Sequence, residues 1–99
     1  MGTSNYIFGR STVTTPGTPI QLPNIAIAHG ADVCINAMPS NTGNCYLATS
    51  SSNVLDATKR RVIDPGIALE SMRPTNLNLF WLDSTVAGEG IEYTIEGST

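Results

Sequence analysis

The stretch Ile91-Glu92-Tyr93-Thr94-Ile95-Glu96 alternates apolar and polar residues without a break. Successive side chains of a β-strand point to opposite faces of the sheet, whereas the apolar face of a helix repeats every 3.6 residues. The alternation therefore predicts a strand whose apolar side chains face a core and whose Glu92, Thr94 and Glu96 face water. This is the cleanest period-two pattern in the chain, and it indicates the class of the whole fold.

The same period occurs elsewhere. Residues 33–37 alternate, residues 39–44 are rich in Pro, Asn and Gly, and residues 45–49 alternate again. This arrangement predicts a β-hairpin that turns near Thr42. Residues 77–82 form the most apolar segment and are predicted to be a central strand.

These segments, with the turn signals between them, predict one all-β domain. Shorter strands are predicted at residues 20–22 and 67–69, the latter directing Ile67 and Leu69 to the core. About seven strands separated by turns every 8–12 residues are typical of a small antiparallel β-sandwich, expected here to be jelly-roll-like. The one helix candidate, residues 54–62, would be one or two turns long.

An extended N-terminal arm over residues 1–19 is expected to precede the β-sandwich domain of residues 20–99. The arm is rich in Gly, Ser, Thr and Pro, and its apolar anchors are Tyr6, Ile7 and Phe8. It could lie over the edge of its own domain, or reach a neighbouring subunit and become ordered there. In the second case these three residues are candidates for contacting a partner.

Charged residues are scarce in this sequence. Lys, Arg, Asp and Glu make up 13% of the 99 residues, about half of the share in an ordinary soluble domain. The net charge of -3 argues against a groove that binds phosphates, so nucleic acid is not an expected partner. No apolar run approaches the roughly 18 residues of a membrane span, and the start lacks an export pattern. We therefore expect a protein made in a cytosol, with no membrane partner.

The distribution of charge suggests contact surfaces. Lys59, Arg60 and Arg61 hold three of the five basic residues, either as a solvated loop or as a contact with an acidic surface. Residues 33–55 carry no charge, which fits an uncharged hairpin or the core of an interface. A thin core and a charge-poor surface both gain from burial against copies of the same chain, so we expect a homo-oligomer, a trimer rather than a dimer.

Residues that carry catalysis are sparse. His29 is the sole histidine, and Cys34 and Cys45 do not form a Cys-x-x-Cys pair. The hairpin register and a reducing cytosol predict that both thiols are unpaired. A calcium site at Asp83 and Glu89 is conceivable, but nothing else suggests metal binding. We expect neither an enzyme, nor a cofactor, nor a metal centre.

The segment from Ala31 to the C-terminus resembles small tailed-bacteriophage virion proteins over about two thirds of the chain. The resembling residues are mostly turn and core positions: Val33-Cys34-Ile35-Asn36-Ala37, Pro39-Ser40-Asn41-Thr42-Gly43, Tyr46-Leu47, Asp64-Pro65-Gly66, Asn76-Leu77-Asn78, Trp81 and Ala87-Gly88-Glu89-Gly90-Ile91-Glu92-Tyr93. In those proteins the corresponding region looks like a jelly-roll-type β-sandwich, used in head decoration or cement proteins and in some neck or tail components.

The resemblance implies a capsid decoration protein that is made in the host bacterial cytoplasm and binds the major capsid protein on the virion surface. Many identical contacts around a closed shell would then stabilise neighbouring capsid subunits. It carries over no catalytic residue. The alternatives are a neck, tail or fibre-associated structural module, and a carbohydrate-binding β-sandwich, which would show a groove with exposed aromatic side chains.

Overall fold

The computed structural model describes the backbone of residues 4–98 and the side chains of residues 6–96. These residues form a small all-β sandwich of two antiparallel sheets, which confirms the predicted fold class; the jelly-roll topology stays a prediction. The strands are β1 (Ser4–Thr12), β2 (Ile20–Gln21), β3 (Asp32–Ala37), β4 (Cys45–Ala48), β5 (Arg61–Ile63), β6 (Trp81–Ser84) and β7 (Gly90–Ser98). The described helical segments are α1 (Ser51–Val54), a single turn capped by Ser50, and a 3-10 turn, Leu77–Leu79.

The first sheet has the order β1-β7-β3, with β7 in the centre. Its two registers place Gly9, Tyr93 and Ile35 in one row across the sheet. Tyr93 and Ile35 are buried, as the alternation in β7 and β3 predicted. A side chain at Gly9 would collide with the ring of Tyr93, so this ring lies over the backbone of β1. The glycine thus lets an edge strand cover a large core side chain.

The second sheet has the order β2-β6-β4-β5, and its inner face packs against that of the first. Apolar side chains from both sheets form one core cluster, to which the second sheet contributes Cys45, Leu47, Ile63 and Leu82. Fully burying an aliphatic side chain of this size contributes about 1.5–3 kcal/mol. The central position predicted for residues 77–82 is correct for β6, which lies between β2 and β4.

The hairpin predicted for residues 33–49 is wrong. β3 belongs to the first sheet and β4 to the second, so the loop between them crosses from one sheet to the other. Both strands alternate because each has one face in the shared core, and alternation does not reveal which strand is the partner. The uncharged stretch 33–55 is therefore divided between two sheets and mixes buried with exposed positions, so it does not form one continuous surface.

Two other strand predictions also fail. The segment 77–79 is a 3-10 turn because the side chain of Asn76 caps it, accepting a hydrogen bond from the amide of Asn78 at 2.9 Å. Residues 67–69 form a single bridge to β3, between Ala68 and Asn36, and do not form a continuous strand; Ile67 is 56% exposed instead of buried.

The described part of the expected arm is a strand of the domain. Ser4–Thr12 pairs with β7 over nine consecutive residues, and Val13 is fully buried in the core. Of the two alternatives for this segment, the structure has the one in which it lies along the edge of its own domain. The expected arm therefore has no separate boundary at residue 19; its first three residues lie outside the described range.

Glu89 joins the loop between β3 and β4 to the start of β7. Its carboxylate accepts hydrogen bonds from the amide of Thr42 at 2.7 Å, from the hydroxyl of Thr42 at 2.9 Å and from the amide of Gly43 at 2.9 Å. The Gly43 amide, followed by that of Thr42, lowers the pKa of Glu89. The ionised carboxylate therefore holds the crossing loop in place.

Both cysteines are free, as predicted, but the hairpin register given as a reason was wrong. They are kept apart because they lie in different sheets, and not because they are out of register within one hairpin. Cys34 is exposed on the first sheet, whereas Cys45 is buried in the second. Desolvation by burial, with a further contribution from the negative charge of Glu89, raises the pKa of Cys45 to about 11. Within the described residues, no helix has the length and apolar character needed to cross a membrane.

We expect Glu89→Gln to lower the melting temperature at pH 7. A depressed pKa in the folded state means that this carboxylate stabilises the fold above its unfolded value of about 4.3, and that the stabilisation is lost as the pH falls through the lower folded pKa. The wild type and the variant should therefore converge in acid, as measured by thermal unfolding across a pH series. Glu96→Gln is the matched control, and an equal loss in this control would contradict the role of the loop contacts.

We expect one thiol to react in the native protein and two after unfolding. Exposed Cys34 should be modified quickly by a disulfide reagent at pH 8, because the reactive species is a solvent-accessible thiolate. Buried Cys45 should react at the rate of unfolding. Cys34→Ser should abolish the fast phase; a fast phase that persists in this variant would show that Cys45 is accessible.

Candidate functional site

The exposed aromatic residues of the chain's first strand mark the candidate site. Tyr6 is 55% exposed, Ile7 44% and Phe8 72%. The rings of Tyr6 and Phe8 are nearly parallel, with an interplanar angle of 5° and 6.2 Å between centroids. All three residues were partner-contact candidates from the sequence, and the structure brings them together on β1.

Tyr6 and Phe8 lie on the face of the first sheet that points away from the core. The registers of β1, β7 and β3 place further side chains on this face. We call it the outer face and define it by seven residues: Tyr6, Phe8, Arg10, Cys34, Asn36, Glu92 and Thr94.

A polar network fixes three side chains of the outer face. Glu92 accepts a hydrogen bond from Arg10 Nη2 at 2.9 Å and another from Asn36 Nδ2 at 3.0 Å. The bond from Asn36, followed by that from Arg10, lowers the pKa of Glu92. Because Arg10 is 62% exposed, this ion pair adds little to stability. Its effect is to orient a charged group and an amide for contact with a ligand or partner.

The network borders a shallow depression. It has a volume of about 400 Å³ and combines aromatic, charged and hydroxyl groups; its lining includes Phe8, Arg10, Asn36, Glu92 and Thr94. Aromatic and arginine side chains beside oriented hydrogen-bonding groups are typical of recognition surfaces. The arrangement can bind a polar partner that also offers an apolar patch.

Within the described part of the chain, no strand pairs with β1 on the side opposite β7, so this edge is open. Val13, directly after β1, donates its amide to the carbonyl of Glu89 and accepts from the amide of Gly88. Backbone groups of an antiparallel ladder alternate between the two sides of a strand, so those of residues 5, 7, 9 and 11 also face β7. The backbone groups of the intervening residues therefore face the open edge: Tyr6, Phe8 and Arg10.

The basic cluster is largely engaged within the domain. The guanidinium carbon of Arg60 lies 3.6 Å from the centroid of the Tyr46 ring. Arg61 forms an exposed ion pair with Glu70 at 3.0 Å. Among the described residues, Lys59 forms no ion pair, which makes it the member of the cluster best placed to contact a partner.

The residues considered for calcium binding do not converge. Asp83 is 4% exposed, and its carboxylate accepts from the amide of Gly17 at 3.0 Å, while Glu89 is engaged by the crossing loop. No group of three or more His, Cys, Asp or Glu residues suited to a metal ion occurs in the described residues. His29 is exposed on a loop.

The sequence interpretation missed the network on the outer face. Arg10 and Glu92 are 82 positions apart, and their opposite charges are meaningful only once β1 is known to pair with β7. The signal that could have indicated this pairing is Gly9, which directly follows the apolar run Tyr6-Ile7-Phe8. A strand with a glycine at this position leaves room for a large side chain of its partner, here Tyr93. Placing residues 1–19 in an extended arm ahead of the sandwich domain left β1 out of the predicted sheet, so its pairing with β7 was not considered.

Comparison of this chain with protein-family models, with curated proteins and with solved structures finds no significant match to any of them. Its function is therefore argued from its own residues: an exposed aromatic pair, an oriented polar network and an open strand edge.

Proposed function

We propose that this chain is a non-enzymatic bacteriophage virion protein that decorates the capsid, and that its outer face docks on the major capsid protein. The exposed Tyr6 and Phe8 pair beside the network of Arg10, Glu92 and Asn36 supports docking, and the choice of the capsid as partner rests on the resemblance of the sequence to small phage virion proteins. Tyr and Arg are enriched among the residues that dominate binding energy at protein interfaces. Here they share one face of a sheet whose opposite face is committed to the core.

The exposed side chains of the outer face favour binding of a partner over a role in stabilising the domain itself. Exposing an aromatic ring such as Phe8 leaves apolar surface in water, and burying it against a partner would recover roughly 25 cal/mol for each Å² removed. The rigid strands hold these side chains in place before contact, which reduces the conformational entropy lost on docking. A decoration protein needs such a surface because each contact is repeated over the shell.

Lys59 is a secondary contact in this proposal. It lies at the surface, near Arg60 and Arg61, and an acidic patch on a capsid subunit would attract it. Such rim charges act mainly on the rate and the salt dependence of association. Arg60 and Arg61 contribute less because Tyr46 and Glu70 already engage them.

The same contact residues on the outer face would also suit a neck, tail or fibre-associated module. Copy number separates the two locations: a decorator is present in numbers comparable to the major capsid protein, and a neck component in far fewer. Quantifying this chain in purified virions distinguishes them.

A carbohydrate-binding function is the second candidate, favoured by the depression beside Phe8. Sugars stack on aromatic rings and exchange paired hydrogen bonds with charged and amide side chains, and Phe8, Arg10, Asn36 and Glu92 offer both kinds of group. Calorimetric titration with neutral oligosaccharides tests it. Saturable binding that is lost in Phe8→Ala, without capsid binding, would favour this function over decoration.

Added to capsids that lack it, the wild-type chain should bind saturably, and Phe8→Ala should weaken binding by about tenfold or more, because a buried aromatic contact is lost. Leu79→Ala is the matched control, since Leu79 is 47% exposed but lies outside the outer face. Lys59→Ala should chiefly reduce the salt dependence. Equal effects of Phe8→Ala and Leu79→Ala would contradict docking by the outer face.

Bound protein should also raise the temperature at which capsids release DNA. A ligand that binds the intact shell stabilises it by mass action, by about 2.7 kcal/mol per site at a hundredfold excess over its Kd. Release can be followed with a DNA-binding dye during heating. Identical release temperatures with and without saturating protein would rule out the cementing role.

A further inference from the structure

We infer that two copies of this chain pair through the open edges of β1, antiparallel, to form a six-stranded sheet with the order β3-β7-β1-β1-β7-β3. This inference goes beyond capsid docking because it concerns the backbone edge of the sheet rather than its outer face. It keeps the homo-oligomer expected from the sequence but replaces the expected trimer with a dimer of two-fold symmetry, and it specifies the surface through which that dimer forms.

Apart from the single charge of Arg10, the edge of β1 lacks the features that protect edge strands. Its pairing with β7 runs through nine consecutive residues without a bulge, and the strand contains neither Pro nor Lys. Long, regular, apolar edges of this kind readily pair with another chain. Tyr6, Ile7 and Phe8 lie in the middle of this edge and are all exposed.

The other described edges are covered or short. Residues 67–72 run along β3, with hydrogen bonds from Val33 N to Met72 O at 2.7 Å and from Leu69 N to Ile35 O at 2.8 Å. In the second sheet the outer strands are β2, of two residues, and β5, of three. The long open edge is therefore specific to β1 within the described part of the chain.

A second copy of the same strand complements this edge. Full-length antiparallel pairing of Ser4–Thr12 with itself places Phe8 on the two-fold axis, opposite its own copy, and Tyr6 opposite Arg10 of the other chain. The backbone groups of all three residues face the open edge, as the hydrogen-bonded positions of an antiparallel ladder require. Arg10 is the one charged residue of β1, so no like charges meet, and each guanidinium lies beside a tyrosine ring.

The area available fits a modest but specific dimer. An aromatic side chain carries roughly 150–250 Å², so the exposed parts of Tyr6 and Phe8 amount to on the order of 250 Å² per copy. With Ile7 and the strand backbone, pairing withdraws at most on the order of 500 Å² per copy, or about 1,000 Å² in total, which is at the lower bound for a specific interface. We therefore expect the dissociation constant of the dimer to lie in the micromolar range.

The dimer would strengthen the proposed docking surface. A two-fold axis between antiparallel strands is perpendicular to the sheet, so both outer faces point in the same direction. The two pairs of Tyr6 and Phe8 then lie side by side, and the ring area that pairing leaves exposed forms one aromatic patch. A dimer bound to a symmetric shell engages two sites at once. Pairing is measured without capsids, so its failure would leave capsid docking to be judged separately.

Sedimentation equilibrium of the full chain from about 1 to about 100 µM tests the pairing, because this range brackets the affinity expected for such an area. The wild type should pass from monomer to dimer, and Phe8→Ala should dissociate at least about tenfold more readily. Phe8→Pro should stay monomeric, since proline also removes the amide that faces the partner. That amide is not bonded to β7, so the native thiol pattern of Cys34 and Cys45 should be unchanged and serves as the folding control.

Cross-linking tests the register. In a Cys34→Ser background, Phe8→Cys should form a disulfide-linked dimer under mild oxidation, since opposed residues of an antiparallel pair have Cα atoms about 5.5 Å apart. Thr94→Cys in the same background is the matched control: Thr94 lies opposite Phe8 on the outer face, but its copy would be three strand spacings away, about 14 Å. A monomer throughout the concentration range, a dimer that persists in Phe8→Pro, or cross-linking that is equal at both positions would overturn the inference.

Discussion

The close approach of β1 to Gly90 is the constraint on which the two sheets depend. A side chain at this position would collide with the backbone of β1, at the carbonyl of Ser11 and the Cα of Thr12. The carbonyl of Gly90 meanwhile accepts from the amide of Met38 at 3.1 Å and from the Asn41 side chain at 2.9 Å, and the buried Cys45 thiol, at the start of β4, lies 3.4 Å from it. One residue thus ties the first strand, the crossing loop and the second sheet together, and Glu89 beside it holds the same loop.

The faces of the long strands could be predicted from the sequence, but their partners could not. Val33 and Ile35 in β3, like Tyr93 in β7, face the core as the period-two pattern indicated, because alternation reports the local division between core and water. Pairing is a long-range property. Residues 33–37 and 45–49 are close in sequence and alternate alike, which favoured a hairpin, whereas β3 pairs with a strand more than 50 positions away.

The candidate site was predictable only in part for a related reason. Tyr6, Ile7 and Phe8 were identified because three large apolar residues in a polar segment need a partner, and they are exposed. The oriented polar groups beside them arise from three strands that meet only in the folded domain. Arg60 and Arg61 looked like available charges in the sequence. Pairing of β4 with β5 brings Tyr46 within reach of Arg60, and Glu70, in the segment after β5, pairs with Arg61.

The pairing of the first strand with the last has a consequence for how the chain is made. Strand β1 leaves the ribosome before its described partner β7, which is synthesised about 80 residues later, at 5–20 residues per second. The first sheet therefore closes only after β7 has been synthesised, and contacts of such long sequence separation are slow to form. During that interval Tyr6, Ile7 and Phe8 are without the strand that holds them, so the nascent chain is most vulnerable to misassociation at the segment that later forms its exposed edge.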